Sequence, residues 1–201
     1  TKAIQQAVIE IDPYAVLANG DPSQLEPSSR LMLISCLASV ANRDPHFRRG
    51  DFGRIFSVAG FFTDDVVEKL RSSLQGAEGA GFCNLLLELL EGSPAVNDLR
   101  EELHTLIVDP GQNETTRLLA ARCLLSDSQH NQSLCLAGLL FEASNTSLKI
   151  TSEIISSLEP GEIDLEYLTG FYRVCSKLYP GLSEQTRVIG ERFFIKRSIQ
   201  C

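Results

Sequence analysis

Asn113-Glu114-Thr115-Thr116-Arg117-Leu118 opens a helix, with polar capping residues, an arginine, and then the apolar run Leu118-Leu119-Ala120-Ala121. The same order recurs at Pro27-Ser28-Ser29-Arg30-Leu31 and at Ser183-Glu184-Gln185-Thr186-Arg187-Val188. The three arginines stand 87 and 70 residues apart. Halved, these intervals are roughly 43 and 35 residues, which brackets the length of a repeat built from two helices. A chain of such repeats stacks its helix pairs, and stacked pairs present a surface rather than a reaction centre.

Working outward from the Arg117 helix, apolar residues recur with a period of 3.6 along most of the 201 residues. Helices are expected over 2–11, 13–18, 27–42, the stretch after Thr63, 84–90, the stretch around 96–107, 114–125, 131–143, 147–158, 162–179 and 183–197. Val96, Leu99, Leu103, Leu106 and Ile107 define one buried stripe, with Glu101, Glu102 and His104 turned to water. Asn84-Leu85-Leu86-Leu87-Glu88-Leu89-Leu90 is apolar almost all round and is expected to be deeply buried. The breaks fall at Asn19-Gly20, Gly92-Ser93-Pro94, Asp109-Pro110-Gly111, Pro160-Gly161 and Pro180-Gly181, where glycine and proline end helices. No stretch alternates with period two for long enough to make a strand. The expected fold is all-α, an α-solenoid of antiparallel helix pairs of the HEAT or armadillo kind, forming one continuous region over 1–201. Because the chain starts at Thr1 without a methionine, it reads as a piece of a larger multidomain protein.

Composition narrows the function. An apolar fraction of 43% and a charged fraction of 22% suit a folded chain. A formal net charge of −8 disfavours broad nucleic-acid binding and attachment to an anionic membrane, because both need a positive field. Cys36, Cys83, Cys123, Cys135 and Cys175 lie in apolar helical runs and Cys201 is terminal, with no close C-x-x-C pair. They read as buried free thiols, hence a reducing, cytoplasmic setting. The N-x-S/T sites at Asn113, Asn131 and Asn145 fall where helices should begin, so they read as caps.

Several stretches carry leucine-rich order beyond simple periodicity. They are Leu85-Leu86-Leu87-Glu88-Leu89-Leu90-Glu91-Gly92, Leu99-Arg100-Glu101-Glu102-Leu103, Ile107-Val108-Asp109-Pro110 and Thr116-Arg117-Leu118-Leu119-Ala120-Ala121. Together they resemble the HEAT-like solenoid that follows the nucleotide-binding module in bacterial NACHT-type STAND NTPases. The entry Asp12-Pro13-Tyr14-Ala15-Val16-Leu17, then Asp21-Pro22 and Arg30-Leu31, is similar to the start of that region. The resemblance implies a sensor or autoinhibitory segment of a signalling ATPase, in a family implicated in bacterial defence. It also implies that a turn aspartate pairs with the arginine opening the next helix, here Asp109 with Arg117 and Asp21 with Arg30. The gaps of 8 and 9 residues are longer than that pattern's. No G-x-x-x-x-G-K-[ST] occurs in the chain, so any nucleotide chemistry belongs to another module.

Candidate sites are few. Arg43, Phe47, Arg48, Arg49 and Arg54, with His46 and Phe52 among them, form the one dense basic cluster. Arginine planarity and aromatic stacking suit contact with a protein partner or an adjacent domain; the alternative is a solvated loop neutralised by Asp44 and Asp51. Gly76, Gly79 and Gly81 lack the lysine of a phosphate loop and read as a turn. Glu159, Glu162, Asp164 and Glu166 read as acids complementing a helix N-terminus. His46, His104 and His130 are scattered, and no nucleophile, metal or cofactor set emerges, so no enzyme activity is expected of this segment. Of the adjacent aromatics Phe61-Phe62 and Phe193-Phe194, one of each pair is expected to pack on a neighbouring repeat. Two further readings stand beside the first, a freestanding HEAT-repeat scaffold for peptides or subunits and a helical-repeat enzyme resembling DNA glycosylases. The acidic charge weighs against the latter.

Overall fold

The computed structural model describes residues 2–44, 46–48, 51, 56, 58, 60–76, 79–127, 132–159 and 161–178. All regular structure among them is helical. The α-helices are α1 (Lys2–Ile11), α2 (Pro13–Asn19), α3 (Pro27–Arg43), α4 (Asp64–Gln75), α5 (Ala80–Leu90), α6 (Arg100–Val108), α7 (Glu114–Leu125), α8 (Ser133–Glu142), α9 (Asn145–Ser157) and α10 (Leu165–Leu178). Two 3-10 segments, Pro22–Gln24 and Pro94–Leu99, precede α3 and α6. The expected helix over 183–197, with Arg187 and Phe193-Phe194, lies outside the described residues, as do Asn131, His130 and Cys201. The chain divides into two compact units, Thr1–Glu102 and Leu103–Cys201.

In the first unit α3 is the hub, packing on α1, α2, α4 and α5. Its inward face carries Ser29, Leu33, Ile34 and Leu37. α2 begins because the Asp12 carboxylate accepts the Ala15 N–H at 2.9 Å and Pro13 supplies a ready-set φ. It stops at Gly20, where a Cβ would stand 2.5 Å from the Val16 carbonyl oxygen. α5 is buried through Phe82, Cys83, Leu85, Leu86, Leu87, Leu89 and Leu90, matching its apolar sequence. The stripe starting at Val96 is not one α-helix: Val96 and Leu99 lie in the 3-10 segment Pro94–Leu99, and α6 begins at Arg100.

Glu102 corrects the sequence reading. It is buried, and accepts a hydrogen bond from Gln75 Nε2 at 3.0 Å, with Arg71 Nε 3.8 Å away. These partners supply what water would otherwise give the carboxylate.

In the second unit α9 packs on α7 and α8, and α10 packs on α8 and α9. Asn113 caps α7 through the Thr116 N–H at 2.9 Å. At α9 the cap is Ser144 rather than Asn145: Ser144 Oγ accepts from the Ser147 N–H at 3.0 Å, and Ser147 Oγ accepts from the Ser144 N–H at 2.9 Å. α10 starts later than expected, after Asp164 accepts the Glu166 N–H at 3.0 Å. Two links align α7 with α9. Glu114 in the first turn of α7 meets Lys149 at 3.1 Å, and Arg122 in its last turn meets Glu153 at 3.1 Å. Both positions advance together, so α7 and α9 run in the same direction.

Candidate functional site

Three Asp-Pro turns recur with shared geometry. The carboxylate accepts the N–H two residues on, and the aspartate carbonyl accepts the N–H three residues on. In the first, Asp21 receives Ser23 at 3.0 Å and Gln24 at 3.1 Å. In the second, Asp44 receives His46 at 2.8 Å and Phe47 at 3.1 Å. In the third, Asp109 receives Gly111 at 2.9 Å and Gln112 at 3.2 Å. A short acceptor followed by a ring-fixed φ makes this a local, sequence-encoded corner. Ser23 Oγ also donates to Asp21 at 2.5 Å, and that bond leads the effects holding the Asp21 carboxyl below its ordinary value.

An arginine follows each corner. Arg30 is the fourth residue of α3 and Arg117 the fourth residue of α7. Arg30 donates to four carbonyls: Ser23 at 2.5 Å and Leu25 at 2.9 Å before its helix, and Gly60 at 2.8 Å and Phe61 at 3.3 Å before α4. Arg117 donates from Nε to the Ile107 carbonyl at 2.8 Å, and its two terminal nitrogens grip both oxygens of Glu142. The direct Asp-to-Arg pairing that the resemblance implied is therefore replaced by an indirect one. Asp21 and Arg30 hold opposite polar groups of Ser23. Asp109 shapes its own turn, and Arg117 takes a glutamate at the end of α8. With the corner satisfied by its own backbone N–H groups, the guanidinium is left to bridge elements farther along the chain.

Arg48 follows the middle corner and overturns its sequence reading as an exposed contact. Its side chain is 2% exposed and bonds Glu88 on α5 through Nη1 at 3.0 Å and Nη2 at 2.6 Å, and the Asp51 carbonyl at 2.9 Å. Phe47 is buried too, edge-on to Tyr14 with ring centroids 5.7 Å apart. The Tyr14 hydroxyl donates to Asp51 at 3.1 Å, and burial raises its ionisation above the ordinary phenol range. Arg43 stays exposed, with Nε on the Ser39 carbonyl at 3.2 Å. Arg49 and Arg54 lie outside the described residues. The basic cluster is thus divided: its centre is an internal brace.

No family model, no curated protein and no solved structure matches the chain. The site must be read from its own chemistry. Among the described residues no group of His, Cys, Asp or Glu is placed to hold a metal ion, and no helix is long and apolar enough to cross a membrane.

The glutamates that receive Arg48 and Arg117 were missed in the sequence, although a signal was there. Glu88 is the lone charge in α5, and Glu142 the lone charge in α8. A single carboxylate in an apolar helix needs a buried partner or an exit to water. Which arginine answers it is a matter of tertiary packing.

Proposed function

We propose that this chain is a non-catalytic helical-repeat segment that binds a protein partner or an adjacent domain, of the HEAT-like kind that serves as sensor in STAND-type signalling ATPases. The observation that carries the reading is the repeated corner and brace. Asp21 and Asp109 shape the same turn, and an arginine at the fourth position of the next helix ties the chain before that helix to the chain near a later helix start. One device used twice, 87 residues apart, supports a chain assembled from repeated helical units. The parallel course of α7 and α9 supports it as well, since like helices of successive stacked pairs point the same way. An interior occupied by hydrophobic packing and arginine braces leaves the outer faces for recognition.

The test is made on the gene product as it occurs in the cell. A P-loop module continuous with this segment, and a rise in ATP hydrolysis when residues 1–201 are deleted, are the expected results. A native product with no nucleotide-binding module overturns the signalling reading. Small-angle X-ray scattering checks the architecture separately: a stack of pairs gives an elongated profile, and a spherical profile rejects it.

A further inference from the structure

The solvent face of α8 is apolar. Leu134 is 72% exposed and Phe141 is 93% exposed, with the exposed Ala137 between them. Their spacings of three and seven place all of them on one line along the helix. Glu142, the lone charge of α8, is turned away to Arg117. Single exposed apolar side chains are ordinary on a protein surface, but an uncharged line ending in an open phenylalanine marks a contact. We propose that two copies of the chain associate through this face, α8 packing antiparallel on α8 across a twofold axis. The proposal stands on the second unit alone and does not depend on the repeat reading.

The flanks of α8 are closed by its own neighbours, so a second copy meets a face rather than a helix edge. A Cβ on Gly138 would stand 2.9 Å from Val108 Cγ1 of α6, and one on Gly170 of α10 would stand 3.2 Å from Leu140 Cδ1. Gly138 and Leu140 point to opposite sides of α8, so the two glycines let α6 and α10 come close on either side. α10 runs parallel to α8. Ser133 and Leu136 at the start of one border the same cavity as Asp164 and Tyr167 at the start of the other, and Leu140 meets Gly170 farther along.

Shape and charge select a second copy as the occupant. Leu134 and Phe141 lie about 5 Å to either side of the midpoint between Ala137 and Gly138. An antiparallel twofold sets Leu134 of each copy against Phe141 of the other and brings only small residues together at the centre. The charges follow the same order. Glu162, Asp164 and Glu166 stand at the start of α10 and Arg173 and Lys177 toward its end, all exposed. With Gly170 level with Leu140, the midpoint of the α8 line falls near Leu168 on α10. Arg173 lies about 8 Å beyond that level, and the acidic start lies a similar distance before it. The twofold lays α10 against α10 of the second copy, so each basic end meets the other's acidic start.

Specific interfaces begin at about 1,200 Å² in total, about 600 Å² from each copy. A face two to three helices wide is of that order, so the dimer is expected in the micromolar range.

Sedimentation equilibrium of the full chain from about 1 to 200 μM tests this, and a reversible monomer–dimer equilibrium within that range is expected. Phe141→Asp, at an exposed position, weakens dimerisation at least about thirtyfold, the factor typical of a central aromatic. Ile11→Asp, on the exposed face of α1 in the first unit, leaves it within about twofold. Arg173→Glu with Lys177→Glu weakens the dimer severalfold, and so does Glu162→Lys with Glu166→Lys. The four changes together restore it, because each reversal is answered on the other copy. Circular dichroism checks that every variant is folded. A chain that is monomeric across the range overturns the proposal and leaves the partner reading above standing, its α8 face being covered by its own chain or by a different protein. A dimer indifferent to Phe141→Asp, equally weakened by Ile11→Asp, or not restored by the combined charge reversal also overturns it.

Discussion

Arg117 reaches Glu142 through both terminal nitrogens while its own side chain is only 1% exposed, and its Nε holds the Ile107 carbonyl. One guanidinium thereby joins the end of α6, the start of α7 and the end of α8. Removing it leaves Glu142 with only the Ser144 hydroxyl and takes the guanidinium donor from the Ile107 carbonyl. Arg117→Ala is therefore expected to lower stability by about 3–5 kcal/mol, the cost of breaking a buried pair from one side. Arg117→Lys recovers only part, because an ammonium cannot reproduce the planar fork. Urea unfolding followed by circular dichroism reads both.

The same pair makes stability depend on pH. The hydrogen bond from Arg117, aided by Ser144, holds the Glu142 carboxyl below its ordinary value of 4.5. The unfolded chain then takes up the proton first as acid is added. The contribution is complete above the unfolded value and disappears as pH falls through the folded one. Glu142→Gln should cost stability near neutrality, with the gap to the unsubstituted chain closing below pH 4.5. A gap that stays constant down through the acid range would refute the assignment.

Arg48 and Arg43 are separated by five positions in the sequence, but their substitutions should differ sharply. Arg48→Glu places two carboxylates against each other at Glu88 and should prevent stable folding of the first unit. Arg43→Glu, on an exposed side chain, should stay within about 0.5 kcal/mol. Equal melting temperatures for the two variants would show that the Arg48 brace carries little.

Cys123, Cys135 and Cys175 should be silent in the native state. Burial pushes Cys135 up to about 12 and Cys175 up to about 11, and Cys123 is fully buried. At pH 8 these three should resist iodoacetamide in buffer and react in guanidinium, because only a thiolate attacks. Mass spectrometry of the alkylated peptides distinguishes the states. Rapid native labelling of Cys135 would contradict its buried position.

Asn113 separates capping from a sequence coincidence. Asn113→Ala should cost about 1 kcal/mol, while Asn113→Asp keeps an oxygen for the Thr116 N–H and should cost little. Thermal unfolding of the two variants provides the comparison.

Much of the chain was legible where local chemistry decides. The Pro27 start of α3, the Asn113 cap and the all-round burial of α5 follow from groups a few residues apart. α7 shows where legibility stops. Leu118, which opens its apolar run, is only half-buried, as is Leu125, and the buried residues are Thr116, Arg117, Leu119, Ala120, Ala121, Cys123 and Leu124. Arg117 stands among those buried residues. It turns inward because Glu142, 25 residues away, neutralises it. The basic cluster around Arg48 misled for the same reason, with its answering acid 40 residues downstream.

The sequence by itself determined that the described chain is helical, where most helices begin and end, and that Asp-Pro corners recur. Each of these rests on backbone hydrogen bonds and side-chain caps spanning one to four residues. Tertiary structure alone decided which charges are internal braces and which remain at the surface, and it set α8 between its neighbours with Leu134 and Phe141 outermost. A buried charge is tolerated only beside its partner, and distance along the chain does not say which groups folding will bring together.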